Sequence, residues 1–429
     1  MQKNKRTKLL LAILLGLVLG SVCGIIFAIF VPSHSPLYAS ALEIAKPFGL
    51  VFINLLKMIV VPVIIFTLIS GVANISPSSL GRVGIKIIAF YLITSLFAII
   101  IGLLLGNAFD IGTSITLEST NTSNIKALNP PSLIDTFMAI IPTNPFAAMV
   151  KGDVLPIIFF SILFGLGIAF TKDSTKQSVK DSANTVYSFF DGCAQVIFKV
   201  VGWVMLYAPI GVFFLIFQVF ASNGVKAFGP LLEVSFVVYL GLGIQFLLVY
   251  LLIVWLNGLS PWLFLRRAFE PFLVAFITRS SGATLPISMN VAERKMGINK
   301  GIYSFTLPLG ATINMDGTTI YLGVCAMFIA NACGVELSFG AQAAMVVTAV
   351  LASIGTAGVP GAGAIMLIMV LESIGLDLAN DNVKLAYAMI LGIDAILDMG
   401  RTGVNVAGDM CGTCVVAKQE GQLDESKWK

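Results

Sequence analysis

The stretch Leu378–Val416 is apolar and long enough to cross a bilayer, yet it carries Asp394, Asp398, Arg401 and Asp409. A charge at the centre of a membrane helix costs at least ~3 kcal/mol even on insertion scales, so such groups face a polar interior and are kept for function. Asp394, Asp398, Arg401, Asn405 and Asp409 follow one another at offsets of four, three, four and four. At about 100° per residue that spacing predicts a single polar stripe on one helix face. A polar stripe inside an apolar helix is a ligand-facing wall. The remaining segments are constrained to enclose it.

The chain is apolar enough to do so. It is 57% hydrophobic and 11% charged over 429 residues, against ~25% charged for a soluble domain. An all-α, polytopic integral membrane protein follows, and a soluble enzyme or a nucleic-acid-binding protein does not. Apolar runs recur at 8–31, 49–72, 84–108, 155–171, 195–220 and 231–256. The first follows Lys3, Lys5, Arg6 and Lys8 and is too long for a signal-peptide core, so it reads as a span with a cytoplasmic N-terminus. Arg82, Lys86 and the basic segment 172–180 read as cytoplasmic loops; the polar segment 110–130, with the triplet Asn121-Thr122-Ser123, reads as an outer loop. One histidine, His34, and scattered cysteines supply no tetrahedral metal site, and no cofactor is expected. Cys411 and Cys414 form a C-x-x-C at a membrane helix end, outside the βαβ setting of a redox motif.

After Trp255 the clean spans give way to apolar segments broken by small and polar residues. Thr278-Arg279-Ser280-Ser281-Gly282-Ala283-Thr284-Leu285-Pro286 lies between flanks 263–277 and 285–292, each too short to cross alone. Ser353-Ile354-Gly355-Thr356-Ala357-Gly358-Val359-Pro360-Gly361-Ala362-Gly363 lies between 342–352 and 364–375 in the same way. Each predicts a re-entrant helical hairpin with a non-helical tip, and unpaired backbone at membrane depth must be buried in protein or line a cavity. Each is followed by a span with a polar core, Asn314-Met315-Asp316-Gly317-Thr318 after the first and the Asp394–Asp409 stripe after the second. Paired interrupted segments in corresponding halves point to the binding site of a secondary transporter.

Four carboxylates (Asp316, Asp394, Asp398, Asp409) against two guanidiniums (Arg279, Arg401) leave this half at net −2. An acidic amino acid brings the cavity to about −3, which a low-dielectric site tolerates only if about three monovalent cations enter as well. Oxygen ligands suit Na⁺, with Asp316 and Asp409 foremost and Asn314, Asn405 and tip carbonyls next. Arg401 suits a carboxylate, through two parallel hydrogen bonds. Asp398, one turn earlier, suits an ammonium. Thr318 and Thr402 add hydroxyls, and the tips, with Ser280, Ser281, Thr356 and Gly363, offer N–H groups and helix N-termini to an α-carboxylate. The Asp398–Arg401 spacing is also that of an intrahelical salt bridge, and Asp394 reads as structural, a partner for Arg279.

TRSSGATLP, TINMDGT, ASIGTAGVPGAGA and DAILDMGRTGVNVAGD closely resemble the signatures of the dicarboxylate/amino acid:cation symporter family, the glutamate/aspartate transporters, from about residue 45 to the C-terminus. The resemblance implies eight transmembrane helices and two re-entrant hairpins in inverted repeats, a homotrimer in a prokaryotic inner membrane, and both termini cytoplasmic. It implies a scaffold (1–80, spans one and two; 111–228, the outer loop and spans four and five). It also implies a transport domain (81–110, span three; 229–429, spans six to eight and both hairpins) that moves as an elevator, with the second hairpin as gate. Carried over by motif, Arg401 binds the substrate side-chain carboxylate and Asp398 its amino group, with Thr318, Thr402, Asn405, Ser281 and the tip Val359–Gly363 completing the site. One sodium site uses Asn314, Asn405, Asp409 and the Gly310 carbonyl. A second uses the Thr312 carbonyl, the Met315 sulfur and the carbonyls of Ser353, Ile354 and Thr356. A third uses Tyr91, Thr94, Ser95, Asn314 and Asp316. The first tip departs from the pattern of many members by having Gly282 after Ser280-Ser281.

Other classes fit less well. A dedicated anion channel has no need of a buried Arg–Asp pair matched to a zwitterion, and an intramembrane serine enzyme lacks a base, since His34 lies at the far end of span one. Aspartate and glutamate differ by one methylene, ~1–3 kcal/mol in a fitted pocket, and both stay open. Sodium coupling is favoured by the three cation-site patterns; proton coupling through a carboxylate is the alternative.

Overall fold

In the computed structural model, which describes residues 2–32, 34–73, 80–113, 138, 140–353, 358 and 360–428, the apolar runs become helices, with one short helix, Pro145–Lys151, between them. They are α1 (Gln2–Phe30), α2 (Pro36–Ala73), α3 (Ile85–Ala108), α4 (Pro145–Lys151), α5 (Val154–Lys172) and α6 (Gln177–Asn223). The run expected at 195–220 is the second half of α6, which extends 18 residues further toward its N-terminus than the apolar count reaches. The triplet Asn121-Thr122-Ser123 and most of the expected outer loop lie outside the described residues.

The expected span 231–256 is α7 (Phe228–Ile244), a π-helical turn at Gln245–Tyr250, and α8 (Leu251–Leu256). There follow α9 (Pro261–Thr278), α10 (Ser281–Arg294), α11 (Lys300–Ile313), α12 (Asp316–Ala332), α13 (Phe339–Ser353), α14 (Ala362–Ser373) and α15 (Asp381–Gln419). Among the described residues the regular secondary structure is helical apart from one antiparallel bridge, Ile298–Leu423.

Two packing groups form. In the first, α1 and α2 lie along α6, and α5 covers α2. Gly16, Gly20 and Gly24 recur every four residues on α1 and let it approach α6 at backbone distance. A Cβ on Gly16 would sit 2.5 Å from the Pro209 carbonyl oxygen. Small residues at this period are the usual means of close helix contact where lipid removes the hydrophobic drive. In the second group α3, α7, α9, α11 and α12 gather on α15 and on one another. The groups meet where α6 crosses α15 and where α14 touches α2, with the Lys57–Asp377 ion pair at 3.0 Å across that boundary.

Five described segments are long and apolar enough to cross a membrane: Leu11–Phe30, Pro36–Ala73, Arg82–Ala108, Gln177–Leu256 and Lys300–Ala332. The last is enclosed by protein, with Asp316 to Ala330 of α12 wholly buried. α15 is not among them, because it carries the charges of the polar stripe. It is nevertheless 39 residues long and nearly all buried beyond Tyr387, so the central helices of the molecule are those that carry the polar residues.

Both breaks read from the sequence fall between separate helices. α9 ends at Thr278 because Arg279 adopts the left-handed conformation (φ 52°), and Ser280 then caps α10 by accepting from the Ala283 N–H at 3.2 Å. The expected non-helical stretch to Pro286 is therefore helical from Ser281 onward. At the second, α13 ends at Ser353 and α14 begins at Ala362, with Gly361 at φ +85° before it; residues 354–357 and 359 lie outside the described residues.

Candidate functional site

The stripe is as the offsets require: Asp394, Asp398, Arg401, Asn405 and Asp409 share one face of α15, each no more than 5% exposed. Three breaks close over that face, namely the α11–α12 junction, the α9–α10 junction and the start of α14.

Arg401 is the hub. Its Nη1 donates to Asp394 Oδ1 at 2.8 Å and its Nε to Asp398 Oδ1 at 3.0 Å. Its guanidinium carbon lies 4.4 Å from the centre of the Tyr321 ring, a cation–π contact. The pairing of Asp394 with Arg279 expected from sequence is corrected here. Asp394 belongs to Arg401, and Arg279 Nη1 lies 3.8 Å from Asp398 Oδ2. Helical side chains lean toward the helix N-terminus, so Arg401 reaches back along α15 to carboxylates one and two turns earlier.

Two charged atoms of this cluster have no hydrogen-bond partner among the described residues: Arg401 Nη2 and Asp398 Oδ2. Thr402 Oγ1 donates to the other Asp398 oxygen at 3.0 Å. Leaving a buried polar group unmade costs ~1–3 kcal/mol, and more when it is charged. An open guanidinium N–H beside an open carboxylate oxygen is a donor for an anion next to an acceptor for an ammonium.

The breaks supply the rest of the wall. A Cβ on Gly363 would overlap the Arg401 guanidinium, so the first turn of α14 lies directly on it. Ser281 is buried at the start of α10, and the Ser280 hydroxyl donates to the Gly358 carbonyl at 2.7 Å, which joins the two tips. Val359 lies outside the described residues. Asn405 caps α12 from a neighbouring helix: its Oδ1 accepts from the Gly317 N–H at 2.8 Å and the Thr318 N–H at 3.3 Å, and its Nδ2 donates to Thr318 Oγ1 at 3.1 Å.

Of the expected cation ligands, Gly310, Asn314, Asn405 and Asp409 converge. Asn314 Nδ2 donates to Asp409 Oδ1 at 3.0 Å and to the Asn405 carbonyl at 3.1 Å, and the Asn314 N–H bonds the Gly310 carbonyl at 2.8 Å. Asn314 Oδ1 has no hydrogen-bond partner among the described residues. Met315 Sδ lies 3.1 Å from Asn405 Nδ2. The Thr312 hydroxyl turns to the Leu309 carbonyl at 3.0 Å and the Ser353 hydroxyl to the Val350 carbonyl at 2.7 Å. Ile354 and Thr356 lie outside the described residues.

Around Asp316, Ser95 Oγ donates to Oδ1 at 2.7 Å, while Tyr250 (2.7 Å) and Gln245 (3.0 Å) donate to Oδ2. Gln245 also bonds the Thr94 carbonyl at 3.3 Å, the Tyr91 hydroxyl goes to the Thr306 carbonyl at 3.0 Å, and Asn314 turns to Asp409 instead of Asp316. Sequence reasoning missed Gln245 and Tyr250. Five residues apart in an α-helix they point about 140° apart, so no helical stripe joins them. The π turn spanning both brings them to one face, and such turns occur often at functional sites.

The charges divide. Asp394 and Asp398 are matched by Arg401 and Arg279, whereas the hydrogen-bond donors to Asp316 and Asp409 are neutral. Two buried carboxylates with no cationic partner among the described residues, set among hydroxyl, amide and carbonyl oxygens, suit a hard monovalent cation or a proton.

The sequence profile of the sodium:dicarboxylate symporter family matches residues 9–419. The chain is 35% identical over 392 residues to the proton/sodium-glutamate symport protein of Geobacillus stearothermophilus, covering 90% of each chain. It is 36% identical over 395 residues to the proton/glutamate-aspartate symporter of Escherichia coli (strain K12), covering 90% of this chain and 87% of that one. It is 33% identical over 388 residues to the C4-dicarboxylate transport protein of Bacillus subtilis (strain 168), covering 89% of each.

Proposed function

The chain belongs to the sodium:dicarboxylate symporter family, and we propose that it imports L-aspartate and L-glutamate across a prokaryotic cell membrane, coupled to about three Na⁺. The observation that carries the substrate assignment is the open Arg401 Nη2 beside the open Asp398 Oδ2 in one buried wall. A plain C4-dicarboxylate, the substrate named for one relative, would leave Asp398 Oδ2 without an ammonium and face its charge.

In this reading Arg401 takes the substrate side-chain carboxylate and Asp398 the amino group. Thr318, Thr402, Asn405, Ser281, Val359 and Gly363 enclose them. Gly310, Asn314, Asn405 and Asp409 hold one cation, Thr312, Met315, Ser353, Ile354 and Thr356 a second, and Tyr91, Thr94, Ser95, Asn314 and Asp316 a third. The last set is now extended by Gln245 and Tyr250. The α9–α10 and α13–α14 pairs are re-entrant hairpins in an eight-span protomer of a homotrimer, with both termini cytoplasmic. The group built on α15 moves as an elevator against the group built on α6, and the α13–α14 pair is the gate. The division of the helices into those two packing groups supports the elevator.

A second reading has its own support: a relative is named a proton symporter, and Asp316 and Asp409 would accept protons as well as sodium. Binding of labelled L-aspartate and L-glutamate to the purified protein tests the sodium reading. Replacing Na⁺ by choline at constant pH is expected to weaken binding at least ~100-fold, since the cations carry the charge of the ligand. Binding indifferent to Na⁺ and strengthened by acid would transfer the coupling to protons.

A further inference from the structure

We propose that the segment Glu420–Trp428 is a strap that holds the α9–α10 pair shut through the transport cycle, with Trp428 as its positioning residue. Opening is thereby left to the α13–α14 pair. The geometry is independent of the symport reading; the functional consequence rests on it.

Three sets of contacts fasten the segment to the loop between α10 and α11. The first is backbone: the Asn299 N–H donates to the Gln422 carbonyl at 3.0 Å and the Asp424 N–H to the Gly297 carbonyl at 2.9 Å, around the Ile298–Leu423 bridge. The second is Trp428, only 7% exposed, whose indole N–H donates to the Met296 carbonyl at 2.8 Å. Arg267 of α9 lies over its ring, 4.9 Å from the centre, and also donates to the Lys427 carbonyl. The third is Lys427, whose ammonium donates to the Arg294 carbonyl at 3.0 Å and the Glu293 carbonyl at 3.4 Å. These are carbonyls that the end of α10 leaves without helical partners.

The strap thus binds α9, the end of α10 and the start of α11 to the helix that carries the polar stripe, because it continues directly from α15. Its near end is held as well. Lys86 of α3 hydrogen-bonds Glu420 and keeps that carboxyl below the usual carboxylate range. Gly297 shows how close the fit is, since at φ +71° a Cβ would stand 2.9 Å from the Asp424 Cβ. The corresponding turn of the other pair, between α14 and α15, is joined to α2 by Lys57–Asp377, whose side chains are 31% and 63% exposed. Exposed ion pairs of this kind hold little.

Hydrogen exchange on the full-length protein in lipid, with retention of preloaded labelled substrate in proteoliposomes, tests the strap from both faces. Trp428→Ala removes the anchor, and Gly297→Ala displaces the strap without touching it. Both are expected to speed exchange of the amides in 283–299 by ~10-fold or more, to leave those in 364–373 within ~2-fold, and to make preloaded substrate leak faster. Trp428→Phe keeps the ring over Arg267, loses one hydrogen bond and is expected to fall between. It carries the test with Gly297→Ala if Trp428→Ala does not accumulate in the membrane. A parallel rise in both segments would reduce the strap to general stability, and no change in 283–299 would remove it; either overturns the proposal. Failure of the wild-type protein to bind acidic amino acids would instead sink the symport reading and leave the exchange contrast in force.

Discussion

Arg401→Ser is expected to abolish uptake of L-aspartate and L-glutamate while leaving the site able to take small neutral amino acids. The guanidinium makes the ion pairs of 2.8 and 3.0 Å to Asp394 and Asp398, and its Nη2 is the donor still open. Truncating one member of a buried, hydrogen-bonded charge pair costs about 3–5 kcal/mol, which is ~10²–10⁴ in affinity if it appears in binding. The change also leaves Asp394 and Asp398 facing each other with Arg279 alone, so a lower melting temperature accompanies it. Competition separates the two effects: L-serine should displace little label from the wild type and bind measurably to the variant. Normal aspartate transport by Arg401→Ser would show that the clamp lies elsewhere.

The second large effect is expected at Asp316. Asn at this position keeps the volume and removes the charge, and the Ser95 and Tyr250 hydroxyls can rotate to suit an amide. The half-saturating Na⁺ concentration should rise at least ~10–100-fold, the range for hydrogen bonds and charges lost from a buried ionised group. Tyr250→Phe deletes one of the donors seen at 2.7 Å and should move the same quantity in the same direction by less. Substrate affinity at saturating Na⁺ should change little in either, because Asp316 does not touch the Arg401 cluster. A cation dependence unaltered in Asp316→Asn would remove this carboxylate from the coupling machinery.

The parts of the site visible in the sequence were those on regular helices. Asp394 to Asp409 could be placed on one face because α15 runs unbroken, and the offsets of a straight helix translate directly into a surface. The two helix pairs were visible because small residues and proline interrupt apolar runs too short to span. What could not be read depended on geometry that departs from the 3.6 period or on side chains reaching across elements. Gln245 and Tyr250 come together through a π turn, which no residue in that segment announces. Spacing alone does not say which arginine Asp394 meets, because its partner is chosen by how far Arg401 reaches back along its own helix. The cap that Asn405 places on α12 comes from a helix 88 positions away from Gly317. Residues 420–428 are mostly polar and aperiodic, so nothing in them announces the strap.

The central claim is that Asp316 and Asp409, the buried carboxylates whose hydrogen-bond donors are neutral, bind the cations that drive an acidic amino acid inward. Uptake of labelled L-aspartate and L-glutamate into proteoliposomes tests it most directly, with an inward Na⁺ gradient compared against an inward H⁺ gradient at the same membrane potential. The account predicts accumulation with the Na⁺ gradient alone. Accumulation with the H⁺ gradient alone, and none with Na⁺, would contradict it.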